Sequence, residues 1–416
     1  MLLLYRLLTS LIYAFVFPVI RLKAACGNIK WQQRLGLIPN DQLCDIWLHA
    51  SSVGEVKVVS YLLQYLRDRR TDLHLRLTVM TEAGFKIAKQ LEISGLAVGY
   101  LPLDCRGAVK KTLNGVKPSM MVIAETEIWP NLILEAGSRN IPVILINGRM
   151  SEKAFGKYHR FSSAMHRLLS YYDRFFFKTE ADANRFRQLG VTTKQLVITG
   201  DMKFDAPLVP RSKGRRAEVR HRLGVDDRDF LVIAGSTREG EETLLLKALA
   251  AKLSSSDVDV SAIRLILAPR HIERIDDVKQ ACVDAGVHYA VYGHPDRKSP
   301  VILIDRMGLL NELYSVADIS FVGGTLVNIG GHNLLEPVWA GTPVLFGPYL
   351  SNVTEAAEYI LDHDYGARVS SAQELADIIT QFQSGKIEFA VKRENDIADS
   401  ATAKAGDYIL GRLNNV

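Results

Sequence analysis

Residues 44–70 read CDIWLHASSVGEVKVVSYLLQYLRDRR and contain one complete transition from strand to helix. The apolar run CDIWL indicates a buried strand, and the segment from residue 56 onward has the apolar spacing of an amphipathic helix. Two serines, a glycine and Glu55 lie between them. Continuous apolar strands that lead into helices are typical of parallel sheets covered on both faces, so this stretch predicts an α/β fold.

Glu55 has two interpretations at this position. In the first, the Ser52 side chain accepts from the N–H of Glu55 and the Glu55 carboxylate reaches the N–H of Ser52, which together form a capping box. In the second, the carboxylate stands at the carboxyl end of a strand, where α/β folds bind their ligands. Acidic residues are also common in first turns because the helix dipole favours them. The spacing alone leaves both interpretations open.

The alternation of apolar strand and amphipathic helix continues along the chain in two series. In the first series, further strands are predicted at LHLRLTVMT, LAVGYLP, SMMVIAE, PVILING, RFFFKT and LVITGD. The second series contains DFLVIAGST, IRLILAP, VHYAVYG, PVILIDR, ISFVGGT and TPVLFGP. Between the two series, residues 202–216 contain prolines, a glycine and a charge cluster that indicate a linker. We therefore predict two Rossmann-like domains that face each other across a cleft, with ligands at the carboxyl ends of the strands.

The predicted domain organisation follows from these series. Residues 1–40 form a membrane-associating segment, residues 41–205 a first Rossmann-like domain and residues 206–390 a second. Residues 391–416 contain a helix that packs back on the first domain. A chain of 416 residues with 48% hydrophobic and 23% charged residues is large and apolar enough for two such cores.

The N-terminal segment differs from the rest in composition. Residues 1–40 contain no Asp or Glu, and their basic residues are Arg6, Arg21, Lys23, Lys30 and Arg34. The uncharged run at residues 7–20 is shorter than the roughly 20 residues that cross a bilayer, and no convincing signal-peptide cleavage site follows it. Basic flanks favour the anionic, cytoplasmic side of a membrane. We expect a helix anchored at that surface rather than a plain buried helix.

The sequence lacks the motifs of a metal site and of a dinucleotide-binding oxidoreductase. The four cysteines, Cys26, Cys44, Cys105 and Cys282, lie far apart without a CxxC pair, which predicts reduced thiols and no metal site. No GxGxxG follows the first strand of either series, which argues against a dinucleotide-dependent oxidoreductase.

Charged residues follow the strands of the first series. ETEIWPN places Glu125 and Glu127 at the sheet edge where Glu55 also stands, and GDMKFD adds the positive charge of Lys203. Because the carboxyl ends of parallel strands meet at one edge, we expect these side chains to form an acid–base group.

Small and basic residues follow the strands of the second series. AGSTREGEE, residues 234–242, brings small side chains and open N–H groups before a helix, which suits an anion. An arginine in APRH stands where a guanidinium can clamp a phosphate. The stretch FVGGTLVNIGGHNLLEP offers backbone donors to phosphate and a carboxylate to a ribose. Ordinary turns explain each feature alone, but their combination favours a nucleotide site. Its candidate residues are Ser236, Thr237, Pro269, Arg270, Met307, Gly308, Asn333, Leu334, Leu335 and Glu336.

The chain resembles the Kdo transferases, which move 3-deoxy-D-manno-octulosonic acid (Kdo) from CMP-Kdo to lipid A precursors. The resemblance lies in motifs that occur in that family's order: HASSVGE, ETEIWPN, GDMKFD, GST, APRH, MG and GGHNLLEP. It implies a GT-B fold, inversion at the anomeric carbon, no metal or other cofactor, and lipid IVA as the acceptor in lipopolysaccharide biosynthesis. It also implies an N-terminally anchored enzyme at the cytoplasmic face of the inner membrane. Its partners would be CMP-Kdo, the lipid acceptor and an anionic membrane surface, but not nucleic acid.

The resemblance also implies roles for individual residues. Glu55 matches the family's catalytic base, and Lys203 and one of Glu125 and Glu127 match groups that assist near the transition state. The chain departs from the family at Leu309, where a glutamate commonly follows Met-Gly, and Glu312 lies one turn later. The positions that match the CMP site are Pro269, Arg270, Met307, Gly308 and residues 333–336.

Two other functions stay open on the sequence. Another GT-B transferase or an epimerase that uses a UDP-sugar would share the glycines of the second series, but it need not keep ETEIWPN and GDMKFD. A membrane-bound nucleotide-sugar sensor would bind without transfer, and it needs no base such as Glu55.

Overall fold

The computed structural model describes residues 1–38, 44–206, 213–253, 263–392 and 399–414. The chain divides into two compact units: unit 1 comprises residues 1–206 and 395–416, and unit 2 comprises residues 207–394. The middle of the predicted linker, residues 207–212, lies outside the described residues. Each unit contains one seven-stranded sheet, and its strands pair in parallel. The predicted α/β class is therefore confirmed.

Unit 1 contains every strand predicted in the first series. Its strands are Ile46–His49 (β1), Leu75–Val79 (β2), Leu96–Tyr100 (β3), Met120–Ala124 (β4), Val143–Gly148 (β5), Tyr172–Phe177 (β6) and Leu196–Ile198 (β7). They lie side by side in the order β3-β2-β1-β4-β5-β6-β7. The helices between the N-terminus and β7 are Leu2–Ala25 (α1), Ile29–Arg34 (α2), Val53–Arg69 (α3), Glu82–Lys89 (α4), Arg106–Val116 (α5), Pro130–Gly137 (α6), Glu152–His159 (α7), Ser162–Leu169 (α8) and Glu180–Gln188 (α9).

Strand β1 shows why the predicted strands are apolar without alternation. Ile46 and Leu48 pack in the same cluster as the apolar residues of α3. Trp47, between them, belongs to a second cluster with residues of α5 and α6. Successive strand residues point to opposite faces of the sheet, so a sheet covered by helices on both faces needs apolar residues at every position.

Unit 2 has the same architecture. Its strands are Phe230–Thr237 (β8), Ile263–Pro269 (β9), Tyr289–Val291 (β10), Val301–Leu303 (β11), Ile319–Val322 (β12), Val344–Phe346 (β13) and Gly366–Arg368 (β14). They lie in the order β10-β11-β9-β8-β12-β13-β14. Its helices are Lys213–Arg222 (α10), Glu241–Leu253 (α11), Ile275–Asp284 (α12), Leu310–Val316 (α13), Leu335–Trp339 (α14), Thr354–Asp362 (α15) and Ala372–Gln383 (α16). The sequence did not predict β14, because this short strand has no apolar run.

Both sheets reverse their strand order once. In unit 1 the chain moves outward from β1 to β3 and then returns to add β4 on the other side of β1. In unit 2 the corresponding pair is β8 and β12. Connections at such a reversal run to opposite sides of the sheet, and the crevice they leave at the carboxyl ends of the strands is where open α/β sheets bind ligands.

A last helix, Ala401–Leu413 (α17), returns to unit 1. Its Ile409 lies in the same apolar cluster as the core residues of α3. Gly406 is so close to Tyr65 that a Cβ at this position would lie 2.5 Å from the ring. The Tyr65 hydroxyl donates to Asp407 at 2.6 Å. The C-terminal helix is therefore part of the core of unit 1.

Helix α1 has two different faces. One face is attached to unit 1: the Tyr5 hydroxyl donates to Asp104 at 2.9 Å, and the Asn131 amide donates to the Thr9 hydroxyl at 3.1 Å. By length and composition α1 is apolar enough to cross a membrane, with a mean hydropathy of 1.9 over its most apolar window. One such helix near an N-terminus is weak evidence of membrane association. The exposed apolar side chains of its other face are Leu3, Leu4, Leu7, Leu8, Leu11, Ile12, Phe15, Val16, Val19 and Leu22.

We predict that Ile409→Ala lowers the free energy of unfolding of unit 1 by about 2–5 kcal/mol, because it leaves a cavity beneath α17. The variants are made in a Trp339→Phe background, in which the three remaining tryptophans all lie in unit 1. Urea denaturation followed by tryptophan fluorescence then reports on that unit. The control is Lys404→Ala on the exposed side of the same helix. Equal midpoints for the two variants would show that α17 does not contribute to the core.

Candidate active site

Glu55 lies in the first turn of α3, just after the loop that leaves β1 at the strand reversal of unit 1. Helix α3 begins at Val53, and the Ser52 hydroxyl accepts from the N–H of Glu55 at 3.3 Å. The Glu55 carboxylate in turn accepts from the Ser52 hydroxyl and from the N–H of Ser51, both at 2.8 Å. The sequence predicted the N–H of Ser52 as the second donor, which is wrong. The Ser52 hydroxyl donates to one carboxylate oxygen of Glu55. The other oxygen accepts from the N–H of Ser51, one residue earlier in the chain than predicted.

The pKa of Glu55 is raised above the ordinary glutamate value of 4.5. Burial is the largest cause, and the charges of Glu125 and Glu127 add to the rise. The hydrogen bonds from Ser51 and Ser52 oppose it. The sequence predicted that the helix N-terminus would favour the ionised form, but desolvation outweighs that effect. A carboxylate with a raised pKa is a better proton acceptor once it is ionised, as a general base must be.

Glu125 lies at the centre of a chain of ion pairs. It follows β4 directly with a left-handed backbone, φ 54°. Its carboxylate accepts from Arg149 at 3.0 Å and from the ammonium of Lys178 at 3.5 Å. Lys178 also pairs with Asp201 at 2.9 Å, and Lys203 lies 3.6 Å from the same Asp201 carboxylate. The predicted residues Glu125 and Lys203 are thus connected through two residues that the sequence analysis did not select.

Glu127 differs from Glu125 although both lie in the same loop. It is half-buried, and no hydrogen bond or ion pair joins it to another residue of the described chain. Its negative charge contributes to the raised pKa of Glu55. The structure therefore separates two glutamates that the sequence could not: Glu125 is neutralised by two cations, whereas the oxygens of Glu127 are unused.

In unit 2, the loops that leave β8 and β12 are connected through Glu241. This fully buried carboxylate accepts from the N–H groups of Gly324, Thr325 and Leu326 at 2.8, 3.1 and 2.9 Å. It also accepts from the N–H of Arg238 at 2.9 Å. We expected these N–H groups to be open to a phosphate, and that expectation is wrong. An internal carboxylate already satisfies them.

A cluster of arginine and histidine side chains stands beside these loops. Arg238 donates to His332 at 2.9 Å and lies 2.6 Å from the Nε2 atom of His271. Burial, together with the charges of Arg238 and Arg270, lowers the pKa of His332 to about 4. The His332 imidazole is therefore neutral near pH 7. Arg270 is exposed, and no hydrogen bond or ion pair of its side chain occurs within the part of the chain that the structure describes.

The remaining candidate residues of unit 2 lie on three loops. Asn333 accepts from the N–H of Leu335 at 3.2 Å and donates to Glu336 at 3.2 Å. Leu334 and Leu335 are buried, so only their backbone can face a ligand. The other candidates lie at the carboxyl ends of β8 and β9 or in the turn after β11, where Met307 is 65% exposed; they are Ser236, Thr237, Pro269 and Gly308.

The departure from the family pattern at Leu309 is not compensated by Glu312. The Glu312 carboxylate pairs with Arg222 at 2.7 Å and with Arg215 at 3.6 Å. It is committed to α10 and is not free to replace the missing side chain.

The candidate metal ligands and the cysteines of the described residues do not form the arrangement that a metal site needs. Within the described ranges, no group of three or more His, Cys, Asp or Glu side chains is suited to hold a metal ion. The cysteines Cys26, Cys44, Cys105 and Cys282 are all free thiols.

Several residues of these sites were missed in the sequence analysis, and they share a position. His49 ends β1, Lys178 follows β6, and Arg238 follows β8. Each lies at the carboxyl edge of a parallel sheet, where polar residues face bound ligands. Position at the carboxyl end of a predicted strand was therefore a signal that could have identified them.

Comparisons with known proteins agree with this arrangement. Residues 29–206 match the family model for 3-deoxy-D-manno-octulosonic-acid transferase (kdotransferase). The chain is 31% identical over 368 residues to the 3-deoxy-D-manno-octulosonic acid transferase of Aquifex aeolicus, covering 88% of this chain and 94% of that protein. It is 34% identical over 350 residues to a bifunctional glycosyltransferase/methyltransferase of Fusobacterium nucleatum, covering 82% of this chain but only 53% of that protein.

A solved structure shares the fold over most of the chain. The UDP-GlcNAc 2-epimerase of Neisseria meningitidis, solved with UDP-GlcNAc bound, aligns with a TM-score of 0.55 at 14% identity. The alignment covers 88% of this chain and 100% of the epimerase. At this level of identity the likeness concerns the fold alone, and it supports the GT-B architecture.

We predict that Glu241→Gln lowers the free energy of unfolding of unit 2 by at least about 2 kcal/mol. An amide nitrogen would face backbone N–H donors in place of one carboxylate oxygen, and buried donors left without an acceptor are destabilising. Urea denaturation of the variant, followed by circular dichroism, measures the change. The matched control is Glu239→Gln, an exposed glutamate of the same loop. If both variants unfold at the wild-type midpoint, the contacts of Glu241 do not stabilise unit 2.

Proposed function

The chain belongs to the 3-deoxy-D-manno-octulosonic acid (Kdo) transferase family and is a glycosyltransferase; we propose that it moves Kdo from CMP-Kdo to lipid IVA, with inversion at the anomeric carbon. The observation that carries the proposal is the buried Glu55, whose pKa is raised and which stands with Glu125 and Glu127 at the strand reversal of unit 1. A protein that only binds a nucleotide sugar has no use for such a base.

In the proposed reaction Glu55 is the general base. It accepts the proton of an acceptor sugar hydroxyl while that oxygen forms a bond to the anomeric carbon of Kdo. The bond between this carbon and the phosphate oxygen of CMP breaks at the same time, and CMP leaves with the electron pair. Attack from the face opposite to CMP inverts the centre. A positioned base of this kind contributes roughly 10²–10⁴-fold to the rate.

The other charged groups of unit 1 have supporting roles in this proposal. Lys178 and Lys203 supply positive charge next to Glu125 and Asp201. Such fixed charges stabilise the negative charge that develops as the donor bond breaks. Glu127 is the better candidate for direct contact with a substrate, because Glu125 is already paired with Arg149 and Lys178.

The CMP group is proposed to bind to unit 2 through side chains rather than through the glycine loop. Glu241 already accepts from three N–H groups of that loop, those of residues 324–326, whereas the guanidinium of Arg270 is exposed. A guanidinium binds a phosphate through two charge-assisted hydrogen bonds. Glu336 would accept from a ribose hydroxyl, and the exposed turn at Met307 and Gly308 would contact the nucleoside. In this proposal guanidinium groups, rather than a metal ion, balance the leaving phosphate.

We also propose that α1 lies on the cytoplasmic surface of the inner membrane. Its apolar face carries large exposed side chains such as Leu11 and Phe15. Its opposite face is held against unit 1 through Tyr5 and Thr9, so these contacts survive only if the helix stays beside that unit. A helix with one apolar face and basic residues near its end binds at an anionic lipid surface. This placement would bring a lipid acceptor close to the enzyme.

Two variants test the proposed reaction. We expect Glu55→Gln to lower the rate of Kdo transfer by at least about 10²-fold while CMP affinity in calorimetry stays unchanged, because the amide cannot accept the proton.

We expect Arg270→Ala to weaken CMP binding by about 1.5–3 kcal/mol through loss of a charged hydrogen bond. Arg228→Ala is the control, since Arg228 is exposed and precedes β8 at the opposite edge of the same sheet.

The raised pKa of Glu55 also predicts how kcat/KM for Kdo transfer depends on pH. A base must be ionised, so kcat/KM of the wild type should fall on the acid side with an apparent pKa above 4.5. A Glu55→Gln variant that transfers Kdo at nearly the native rate would falsify the assignment of the base. Native CMP affinity in Arg270→Ala would remove Arg270 from the donor site.

The membrane proposal is tested with Leu11→Asn combined with Phe15→Asn. Both side chains are exposed, at 59% and 78%, so the fold should not change, but binding to phosphatidylglycerol vesicles should be largely lost. Co-sedimentation measures the bound fraction, and Ser10→Asn is the control on the same helix. If the double variant sediments like the control, membrane binding depends on another surface.

A further inference from the structure

The unit 1 site contains a buried histidine that the proposed reaction does not use. His49 is the last residue of β1 and is 1% exposed. It lies two residues before Ser51, whose N–H donates to Glu55. Its ring contacts Thr78, Ser51 and Trp129. The hydrogen bonds with Thr78 and Ser51 determine which ring nitrogen carries the proton.

The hydrogen bonds of His49 fix one neutral tautomer. Its Nδ1 atom lies 2.9 Å from the carbonyl oxygen of Thr78. A carbonyl can only accept, so Nδ1 carries the proton and Nε2 is left as an acceptor. The Ser51 hydroxyl lies 3.2 Å from Nε2 and donates to it. Burial lowers the pKa of His49 to about 4, and the nearby charge of Arg34 adds to the effect. This tautomer therefore persists throughout the neutral pH range.

The contacts of His49 extend to both loops at the strand reversal. The Ser51 hydroxyl is committed to the histidine, and the backbone N–H of the same serine donates to Glu55 at 2.8 Å. On another side, the ring of Trp129 meets the His49 ring edge to face, with centroids 6.3 Å apart. Trp129 ends the loop that carries Glu127. His49 thus contacts both the loop that leads to Glu55 and the loop that carries the other two carboxylates.

We propose that His49 is a positioning residue, which orients Ser51 so that the Ser51 N–H holds the carboxylate of Glu55. The inference rests on the proposed role of Glu55 as the base. The linkage runs from the Thr78 carbonyl through the imidazole and the Ser51 hydroxyl to the backbone of Ser51. A neutral imidazole suits this place because it offers one donor and one acceptor at fixed positions and brings no charge close to Glu55.

The linkage has a consequence that a purely structural histidine would not have. The Ser51 N–H stabilises the ionised form of Glu55 and lowers its pKa. If Ser51 loses its orientation, the pKa of Glu55 rises further. The acid limb of the pH profile, where kcat/KM falls as Glu55 becomes protonated, then moves to higher pH. The other groups that act on Glu55 are Ser52, Glu125 and Glu127, and they stay in place in the variants below.

The test compares two amides that differ in reach. His49→Asn can still donate to the Thr78 carbonyl but falls short of Ser51, whereas His49→Gln is one methylene longer and can present an acceptor to the Ser51 hydroxyl. In His49→Asn we expect the acid limb of kcat/KM to move up by about one pH unit, the size expected from losing one hydrogen bond to a charged group. In His49→Gln the limb should stay near its native position. CMP affinity should not change in either variant.

Ser51→Ala provides a second variant that does not disturb the strand. It keeps the backbone N–H and removes only the hydroxyl that reaches His49, so its acid limb should also move up. Leu77→Ala is the control for lost stability, because Leu77 is a core residue of β2 on the side of α3. It should leave the limb where it is.

The outcomes separate this inference from the proposed function. If Glu55→Gln abolishes transfer but the acid limbs of His49→Asn and Ser51→Ala coincide with the native limb, His49 does not position Glu55 and only this inference fails. If Glu55→Gln is fully active, the base assignment itself fails and the inference falls with it. A limb that moves equally in Leu77→Ala would also overturn the proposal, since the shift would then follow from general loss of stability.

Discussion

Strand β1 pairs in register with β2 on one side and with β4 on the other, so that His49 lies level with Thr78 and with Ile123. The arrangement of the unit 1 site depends on this register. Glu55, in the first turn of α3, and Glu125, directly after β4, therefore follow two neighbouring strands that end at the same height. The same register gives His49 the Thr78 carbonyl as its partner. A shift of one residue would turn every side chain of β1 to the other face of the sheet.

The two units use the same residue type at equivalent places for different purposes. In each, the strand at the reversal leads into a helix whose first turn contains a buried glutamate: Glu55 in α3 and Glu241 in α11. Glu241 accepts from four backbone N–H groups on two loops, and burial raises its pKa although these hydrogen bonds oppose the rise. Glu55 accepts from one N–H and one hydroxyl and has two carboxylates as neighbours. Burial raises the pKa of both glutamates, but only Glu55 has neighbouring carboxylates that add to the rise, whereas the four donors to Glu241 join two loops.

Much of the fold could be predicted from the sequence, because apolar strands and their helices are local patterns. The predicted carboxyl-edge residues Glu55, Glu125 and Lys203 also lie in one unit because the parallel arrangement brings strand ends together. Partners distant in sequence could not be predicted. Three of the four donors to Glu241, the N–H groups of residues 324–326, are more than 80 residues away, so the glycine loop looked open to phosphate. Likewise, only the structure could show that Glu125 is paired and that Glu127 is not.

Transfer of Kdo from a CMP donor to a lipid acceptor is the central proposal for this chain. The most direct measurement is incubation of the purified chain with CMP-Kdo and lipid IVA in vesicles, followed by mass spectrometry of the lipid and assay of released CMP. We expect the lipid to gain Kdo and CMP to appear in equal molar amount, with UDP-GlcNAc inert in the same assay. Unchanged lipid with intact CMP-Kdo, or consumption of UDP-GlcNAc instead, would contradict the account.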